Sequence, residues 1–526
     1  MSDGNPYNPN LPPTSPRPSN ARPASSSPCP SNARPASSSP RPSNARPASS
    51  SPRPSNARPA SSSPRLSNAR SASRGHLRTG SYGSGRHNLA SRAGSDVNST
   101  AGSVWSDHTH GTENTYLREF KPSFSSYSQY IFTVLAAVIS AKEIWRFPYT
   151  VMGHDSGIFV LLYLIMTLSV GIPLVYLELI IGVRFRVGAI KCFNAMGERA
   201  TGIGVSQLVL SFLILVYQPL IMAWSLYFIF VSFGTMTTIP PWSTCPVING
   251  TMSTCCIQDS STYYWFEGVL NVSTGLADPE PTHQTHLVVC YVITWFIAYL
   301  CILRGVRISA MISYVTVTIP LMILLIIFVR VLFLDGALIG LVTFITPNLG
   351  DMNRISVPLM LLDLMSQVNV YGRDPGYPTF EALLIGFLNM TVSVVSALIL
   401  YAIIGHLMVT KKRTKQEVFV SRGASVVFSV FPNIFSYFLV PNIWSILFFV
   451  ALVLISIDSM YCHVNAVTLS LMEVGGFRYI PYSILSLVIT LTCALTGLPF
   501  LMGNGVYLFE AMDGTINPVI CMAVSI

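Results

Sequence analysis

Charge is what this sequence has least of. Only 10% of its 526 residues are charged, against 51% that are hydrophobic. A soluble surface uses about a quarter charged residues, so a free-standing soluble domain is excluded. Zinc-ligand spacing, a phosphate-cradling glycine loop and a Ser-His-Asp constellation with supporting context are missing too. His154, His406 and His463 are scattered and suit packing or interface positions, so an enzyme is not expected. No signal-peptide pattern precedes the first apolar run, because the N-terminal stretch is polar and rich in Pro and Ser. What is present in quantity is apolar runs of the ~20 residues that a membrane helix needs. The expected class is an all-α polytopic membrane protein.

The runs cover residues 127–148, 157–183, 204–234, 286–303, 310–334, 355–372, 380–409, 442–472, 480–500 and 504–526, about ten spans. The sixth is the weakest. An interrupted stretch at 424–440 contains Pro432 and Pro441. Residues 1–125 precede the first run and contain a 12-residue repeat, SNARPASSSPRP, starting at Ser19, Ser31, Ser43 and Ser55. Such a composition cannot bury a core, so a disordered arm is expected, followed by a transmembrane domain over 126–526. The arm is either a spacer or a basic tail that rests on anionic lipid. No aromatic residues interleave with the repeat, so nucleic acid is not an expected partner.

Much of the net charge of +9 sits in that arm. Positive charge stays on the cytoplasmic side, which places the N-terminus inside. Arg184, Arg186 and Lys191 after the second run, and Arg304 and Arg307 after the fourth, agree with this. The long loop at about 235–285 then falls outside. It carries acceptor sequons at Asn249 and Asn271, and three of the ten cysteines, Cys245, Cys255 and Cys256. Glycans on both asparagines and an oxidising compartment are expected. Cys290, Cys301, Cys462 and Cys493 lie in apolar runs and suit packing. The cluster Lys411, Lys412, Arg413 and Lys415 fits less simply. It is outside if the sixth and seventh runs both cross, and inside if the sixth only dips in and returns.

The first run is the unusual one. It reads IFTVLAAVISAKEIWRFP over 131–148 and sets Lys142, Glu143 and Arg146 among apolar residues before Pro148, where a stop is expected. Each buried charge in a span costs roughly 2.5–3.5 kcal/mol on insertion scales. Either the span ends early, with these charges at the water interface, or the helix is broken at membrane depth around a site.

Several motifs stand in order along the chain. They are Ile144-Trp145-Arg146-Phe147-Pro148-Tyr149, then Gly171-Ile172-Pro173-Leu174 with Tyr176 and Glu178, then Pro241-Trp242-Ser243-Thr244-Cys245, and Ile457-Asp458-Ser459. In these the chain resembles the neurotransmitter:sodium symporter family, the sodium- and chloride-coupled transporters of amino acids and amines, over residues 126 to the end. The resemblance implies two inverted five-helix repeats, unwound first and sixth spans, and a site at their interface in the plasma membrane. It implies one sodium site from the carbonyls of Ala136, Ile139 and Ile455 with the side chains of Asp458 and Ser459. A second would use the Val138 carbonyl, Glu143 and Asn389. Chloride would meet Tyr176, Gln367, Asn389 and Ser393, and Arg146 with Asp513 would close an outer gate over the substrate. The loop disulfide would join Cys245 to Cys255, with Cys256 as the alternative.

The departures from the family pattern bear on function. Ser140-Ala141-Lys142-Glu143 stands where the family has Gly-Leu-Gly-Asn, so two flexible glycines are gone and a carboxylate replaces a neutral sodium ligand. Amine transporters carry an acid where Ser140 stands, so a monoamine is not the expected solute. Gln218 replaces a tyrosine that usually touches the substrate carboxylate, and His154-Asp155-Ser156-Gly157 replaces Asn-Gly-Gly-Gly. Asp363 and Gln367 match the first half of the sixth span, and 372–376 would be its unwound segment, with Arg373 and Asp374 inside it. Its second half-helix is missing before Phe380, and twelve spans are implied where about ten runs are found. Two functions follow. One is sodium-coupled symport of an amino acid or related small solute. The other is a non-transporting family member that binds a ligand or partner.

Overall fold

The computed structural model describes residues 126–154, 156–185, 187–245, 247–248, 251–252, 259–273, 284–303, 306–346, 378–412, 423–477 and 479–525. Among them only Val247–Ile248 and Thr251–Met252 form strands, one antiparallel pairing in the long loop. Everything else that is regular is helical. The expected arm at 1–125 and the sixth run at 355–372 lie outside the described residues.

Among the described residues, six helices are long and apolar enough to cross a membrane: Gly157–Gly182, Glu198–Gly234, Thr285–Ile302, Ser309–Leu332, Thr379–Lys411 and Pro441–Met472. The chain is a multi-pass membrane protein on that ground. Three further apolar helices are shorter, Tyr127–Val138, Ser425–Phe435 and Tyr482–Thr496.

The first run is two helices. α1, Tyr127–Val138, starts at Ser126, whose hydroxyl accepts the Gln129 amide at 3.3 Å. It ends where Ile139 turns extended, with φ −76° and ψ 106°. α2, Lys142–Gly153, then runs through Pro148. The stop expected at Pro148 is therefore at 139–141 instead. A proline removes one amide from a membrane helix, and neighbouring helices can make up that loss. The break upstream is held by side chains that capture the backbone, as described below.

The second run carries an internal irregularity. α3, Ser156–Met166, joins α4, Ile172–Phe185, through one π turn at Thr167–Gly171. Pro173, near the start of α4, has no amide to give the preceding turn, and the wider turn accommodates this. α5, Ala189–Met196, follows. α6, Thr201–Tyr217, and α7, Pro219–Gly234, run almost continuously, because Gln218 keeps helical dihedrals and Pro219 takes a first-turn position. Then come α8, Thr285–Ile302, and α9, Val306–Leu332.

α10, Ala337–Ile345, is a short helix absent from the apolar runs above. It lies so close to α11, Pro378–Lys411, that a Cβ on Gly340 would sit 1.9 Å from the Tyr401 carbonyl oxygen. The interrupted stretch forms α12, Ser425–Phe435, in which every residue is buried. α13, Pro441–Met472, is the central helix and packs against α6, α7, α9 and α14, Tyr482–Thr496. α1 fits between α9 and α13, while α11 supports α2, α4 and α10. α15, Gly505–Ser525, closes over α6.

The two ends of the bundle can be told apart by their bonds. The start of α13 meets the long loop, where Asn442 Nδ2 donates to the Thr235 carbonyl at 2.6 Å. Its far end meets the α4–α5 turn, where Glu473 Oε1 accepts the Gly188 amide at 2.8 Å. The basic cluster now has a side. Lys411 Nζ pairs with Asp259 of the long loop at 3.1 Å. Lys411 and Lys412 thus lie at the loop end, opposite Arg184 and Lys191; Arg413 and Lys415 lie outside the described residues.

Candidate functional site

The break between α1 and α2 exposes a specific set of backbone groups. On an unbroken helix the amides of Ser140, Lys142 and Glu143 would close on the carbonyls of Ala136, Val138 and Ile139. Here the Ser140 amide goes to Glu143 Oε2 at 2.8 Å, and the Lys142 amide goes to Ser140 Oγ at 3.3 Å. The Glu143 amide goes to the Ser140 carbonyl at 3.3 Å. Three carbonyls thus lose their helical donors, and they are the three on this segment, of four in all, that the resemblance assigned to sodium. Ser140 Oγ also donates to Glu143 Oε2 at 2.8 Å. Glu143 folds back onto the break and takes both donors of Ser140.

α13 faces this break across a shared boundary with α1 and α9. Ile455, Asp458 and Ser459 are all buried there. Asp458 Oδ1 accepts from Thr316 Oγ1 on α9 at 2.7 Å. One turn along, Ser313 Oγ and Tyr461 Oη are 2.6 Å apart. Nothing in the motifs pointed to Thr316 or Ser313, because their role depends on the register of α9 against α13.

The anion set is placed differently from expectation. Asn389 and Ser393 are buried on α11, where Ser393 Oγ donates to the Asn389 carbonyl at 3.1 Å. Asn389 Oδ1 is buried without a partner among the described residues. Tyr176 lies on the exposed side of α4, 37% accessible. The tyrosine beside Ser393 is Tyr163 on α3, fully buried, with Phe147 4.5 Å from it between ring centroids. Tyr163 also lies within electrostatic reach of the Glu143 carboxylate. The sequence places both tyrosines on one apolar run, and only the packing of α3 on α2, with the Tyr163–Ser393 contact, separates them. Gln367 lies outside the described residues.

Arg146 and Asp513 form an ion pair. Arg146 Nη1 donates to both the Asp513 Oδ2 and, at 3.0 Å, its carbonyl oxygen. Both side chains are buried, 7% and 9% accessible. Tyr217 Oη adds a bond to Asp513 Oδ1 at 3.4 Å. Phe509, one turn before Asp513 on α15, lies among Trp145, Tyr217 and Trp224 at centroid distances of 5.9, 5.5 and 5.3 Å. An apolar plug therefore sits beside the ion pair. Gln218 is buried next to Tyr217. Its motif position was the one signal that could have led to Tyr217.

In the long loop, Cys245 takes part in a disulfide. Cys255 and Asn249 lie outside the described residues. Asn271 is exposed, with φ 45°, just after the loop's helical segment at 260–269.

A family model described as the Sodium:neurotransmitter symporter family matches residues 121–526. The sodium-dependent neutral amino acid transporter B(0)AT1 of Mus musculus is 25% identical over 462 residues, covering 75% of this chain and 72% of the relative. The sodium- and chloride-dependent taurine transporter of Canis lupus familiaris is 26% identical over 445 residues, covering 76% and 69%. A human relative described as an inactive sodium-dependent neutral amino acid transporter, B(0)AT3, is 26% identical over 466 residues, covering 76% and 75%. Among solved structures, MhsT in complex with L-phenylalanine superposes with a TM-score of 0.61 at 19% identity, covering 76% of this chain and 87% of that one. That last likeness is one of fold.

Proposed function

The chain belongs to the Sodium:neurotransmitter symporter family, and on that footing we propose that it couples sodium entry to uptake of an amino acid or related small solute. One observation carries the proposal. The broken first helix presents the carbonyls of Ala136, Val138 and Ile139 without their helical amides, beside a helix that buries Asp458 and Ser459. Carbonyl, carboxylate and hydroxyl oxygens are the donors that a small hard cation takes. Ala136, Ile139, Ile455, Asp458 and Ser459 would hold one sodium ion. Val138, Glu143 and Asn389 would form the second site, in which Asn389 Oδ1, without a partner among the described residues, supplies a ready oxygen. Tyr163, Gln367, Asn389 and Ser393 would meet chloride, with Tyr163 in place of Tyr176.

Sodium on these oxygens would order the break between α1 and α2, which lines the solute position near Ser140 and Gln218. The Arg146–Asp513 pair and the Phe509 plug would seal that position at the loop end during alternating access. The full architecture we propose has about ten spans in two inverted five-helix repeats. It lies in the plasma membrane with the N-terminal arm cytoplasmic, and the loop carries the Cys245–Cys255 bond and glycans on Asn249 and Asn271.

The test is uptake by the full chain in liposomes, with an inward sodium gradient against a matched potassium control. Labelled neutral amino acids, taurine and creatine form the panel. Accumulation above equilibrium of at least one solute, only with sodium, is expected. One observation favours the alternative of a non-transporting binder. Glu143 already satisfies the amide and hydroxyl of Ser140, so the break is capped from within. If no solute accumulates while sodium still stabilises the protein against heat, that alternative replaces symport.

A further inference from the structure

Asp458 is held by a helix that lies outside the proposed ligand set. Thr316 is almost fully buried on α9, and its hydroxyl lies 2.7 Å from Asp458 Oδ1 and 3.1 Å from the Ile312 carbonyl. A threonine hydroxyl has one proton to give. The shorter, charge-assisted bond to the carboxylate is the stronger of the two. The proton is therefore committed to Oδ1, which leaves Oδ2 as the oxygen free of that bond and the readier of the two to meet a cation.

The surroundings keep this geometry fixed. Ser313 precedes Thr316 by three residues and Tyr461 follows Asp458 by three, so the two bonds form successive rungs between α9 and α13. Residues three apart share a helix face. The second rung ties the two helices one turn away, and the first sets the orientation of the carboxylate. Only the first touches a proposed ion ligand.

We propose that Thr316 is a positioning residue that presents one oxygen of Asp458 to the cation and so fixes which monovalent ion the site prefers. This rests on the sodium site proposed above. Groups that orient an ion's ligands typically change affinity by 10–100-fold when removed. A carboxylate freed from Thr316 could turn to meet the ion with both oxygens. The cavity would then adapt to ions of different radius, and selectivity depends on that rigidity.

The experiment measures sodium-22 binding to the purified full chain, with unlabelled sodium and lithium as competitors. It also measures the rise in unfolding temperature with each salt. Thr316→Val removes the hydroxyl at nearly constant volume and should weaken sodium about tenfold and bring sodium and lithium within about twofold of each other. Thr316→Ala is a second hydroxyl-free variant should valine disturb folding. Thr316→Ser keeps the hydroxyl and should restore both affinity and preference. Ser313→Ala breaks the neighbouring rung alone and should leave both unchanged. Equal weakening by Ser313→Ala and Thr316→Val would overturn the proposal, because the effect would then be helix register. Asp458→Asn separates the two levels of argument. If it abolishes binding while Thr316→Val changes nothing, the positioning role alone is wrong. If it leaves sodium binding intact, the site itself is wrong.

Discussion

Removing the carboxylate of Asp513 should open the loop end of the molecule. Asp513→Ala takes the charged partner from Arg146, whose Nε is already buried without an acceptor among the described residues. Breaking a buried pair from one side costs about 3–5 kcal/mol. The lower end applies, because the residue 513 carbonyl still accepts from Arg146 at 3.0 Å. Tyr217 loses its bond to Oδ1 as well, but at 3.4 Å that bond is weak. A loss of about 3 kcal/mol from the closed form alone raises the open population about 150-fold. The assay is modification of an engineered cysteine, Gln218→Cys, by a membrane-impermeant maleimide, with the chain lacking that cysteine as background. Gln218 is buried beside Tyr217 in the closed form, so its modification rate follows the open fraction. The rate should rise about a hundredfold with Asp513→Ala. A rate within twofold of the parent would mean that the Phe509 plug alone closes the path and that the ion pair does not hold the gate.

Three further outcomes are expected. Asp259 takes bonds from Lys411, Asn433 and Thr262, so Asp259→Ala should cost about 2 kcal/mol against about 1 for Lys411→Gln, whose pair is a quarter exposed; equal losses in thermal unfolding would refute a shared carboxylate. Gly340→Ala should cost about 3 kcal/mol or more by driving α10 off α11, whereas Gly202→Ala, with open space around it, should gain up to about 1 kcal/mol, and melting of both variants in one detergent tests the contrast. Burial pushes the Glu267 carboxyl in the long loop above its ordinary value of 4.5. The folded form keeps a proton there that the unfolded chain has lost, so this contribution to stability falls as pH rises from that value through the raised one. Glu267→Gln should flatten that part of the stability profile, and an unchanged slope would contradict the assignment.

The apolar runs made most helices legible, because a membrane helix must be long and uncharged along its whole length. Thr285–Ile302 and Pro441–Met472 match their runs to within a residue or so. The broken first helix was legible for a related reason, since Lys142, Glu143 and Arg146 stand among residues that otherwise continue the span. The point of the break was not. Proline is the conspicuous residue there, yet Ser140 and Glu143, three residues apart, make the break by local side-chain hydrogen bonds that no apolar pattern reports. α10 escaped notice because nine residues are too few to register as a span. Tyr163 and Thr316 were invisible for a third reason. Each matters through a neighbour on another helix, Ser393 or Asp458, and no local pattern reports which residues will meet across helices. Arg146 and Asp513 are just as far apart in sequence, and they were found only because the family motif carried the pairing.

The length of α11 has a mechanical consequence. Its 34 residues rise about 51 Å, against a hydrocarbon core of about 30 Å. At the end away from the long loop it is pinned to α1, where Tyr130 Oη donates to Glu381 Oε2 at 3.1 Å. At its other end Lys411 reaches Asp259 at 3.1 Å. A rigid rod of that length turns angle into distance. Pivoting about the pinned end by about 5° carries the tip about 4 Å, farther than an ion pair can follow. Small rotations of the helix beside the broken segment would thus be magnified at the loop, making the Lys411–Asp259 contact a gauge of tilt on the outside of the bundle.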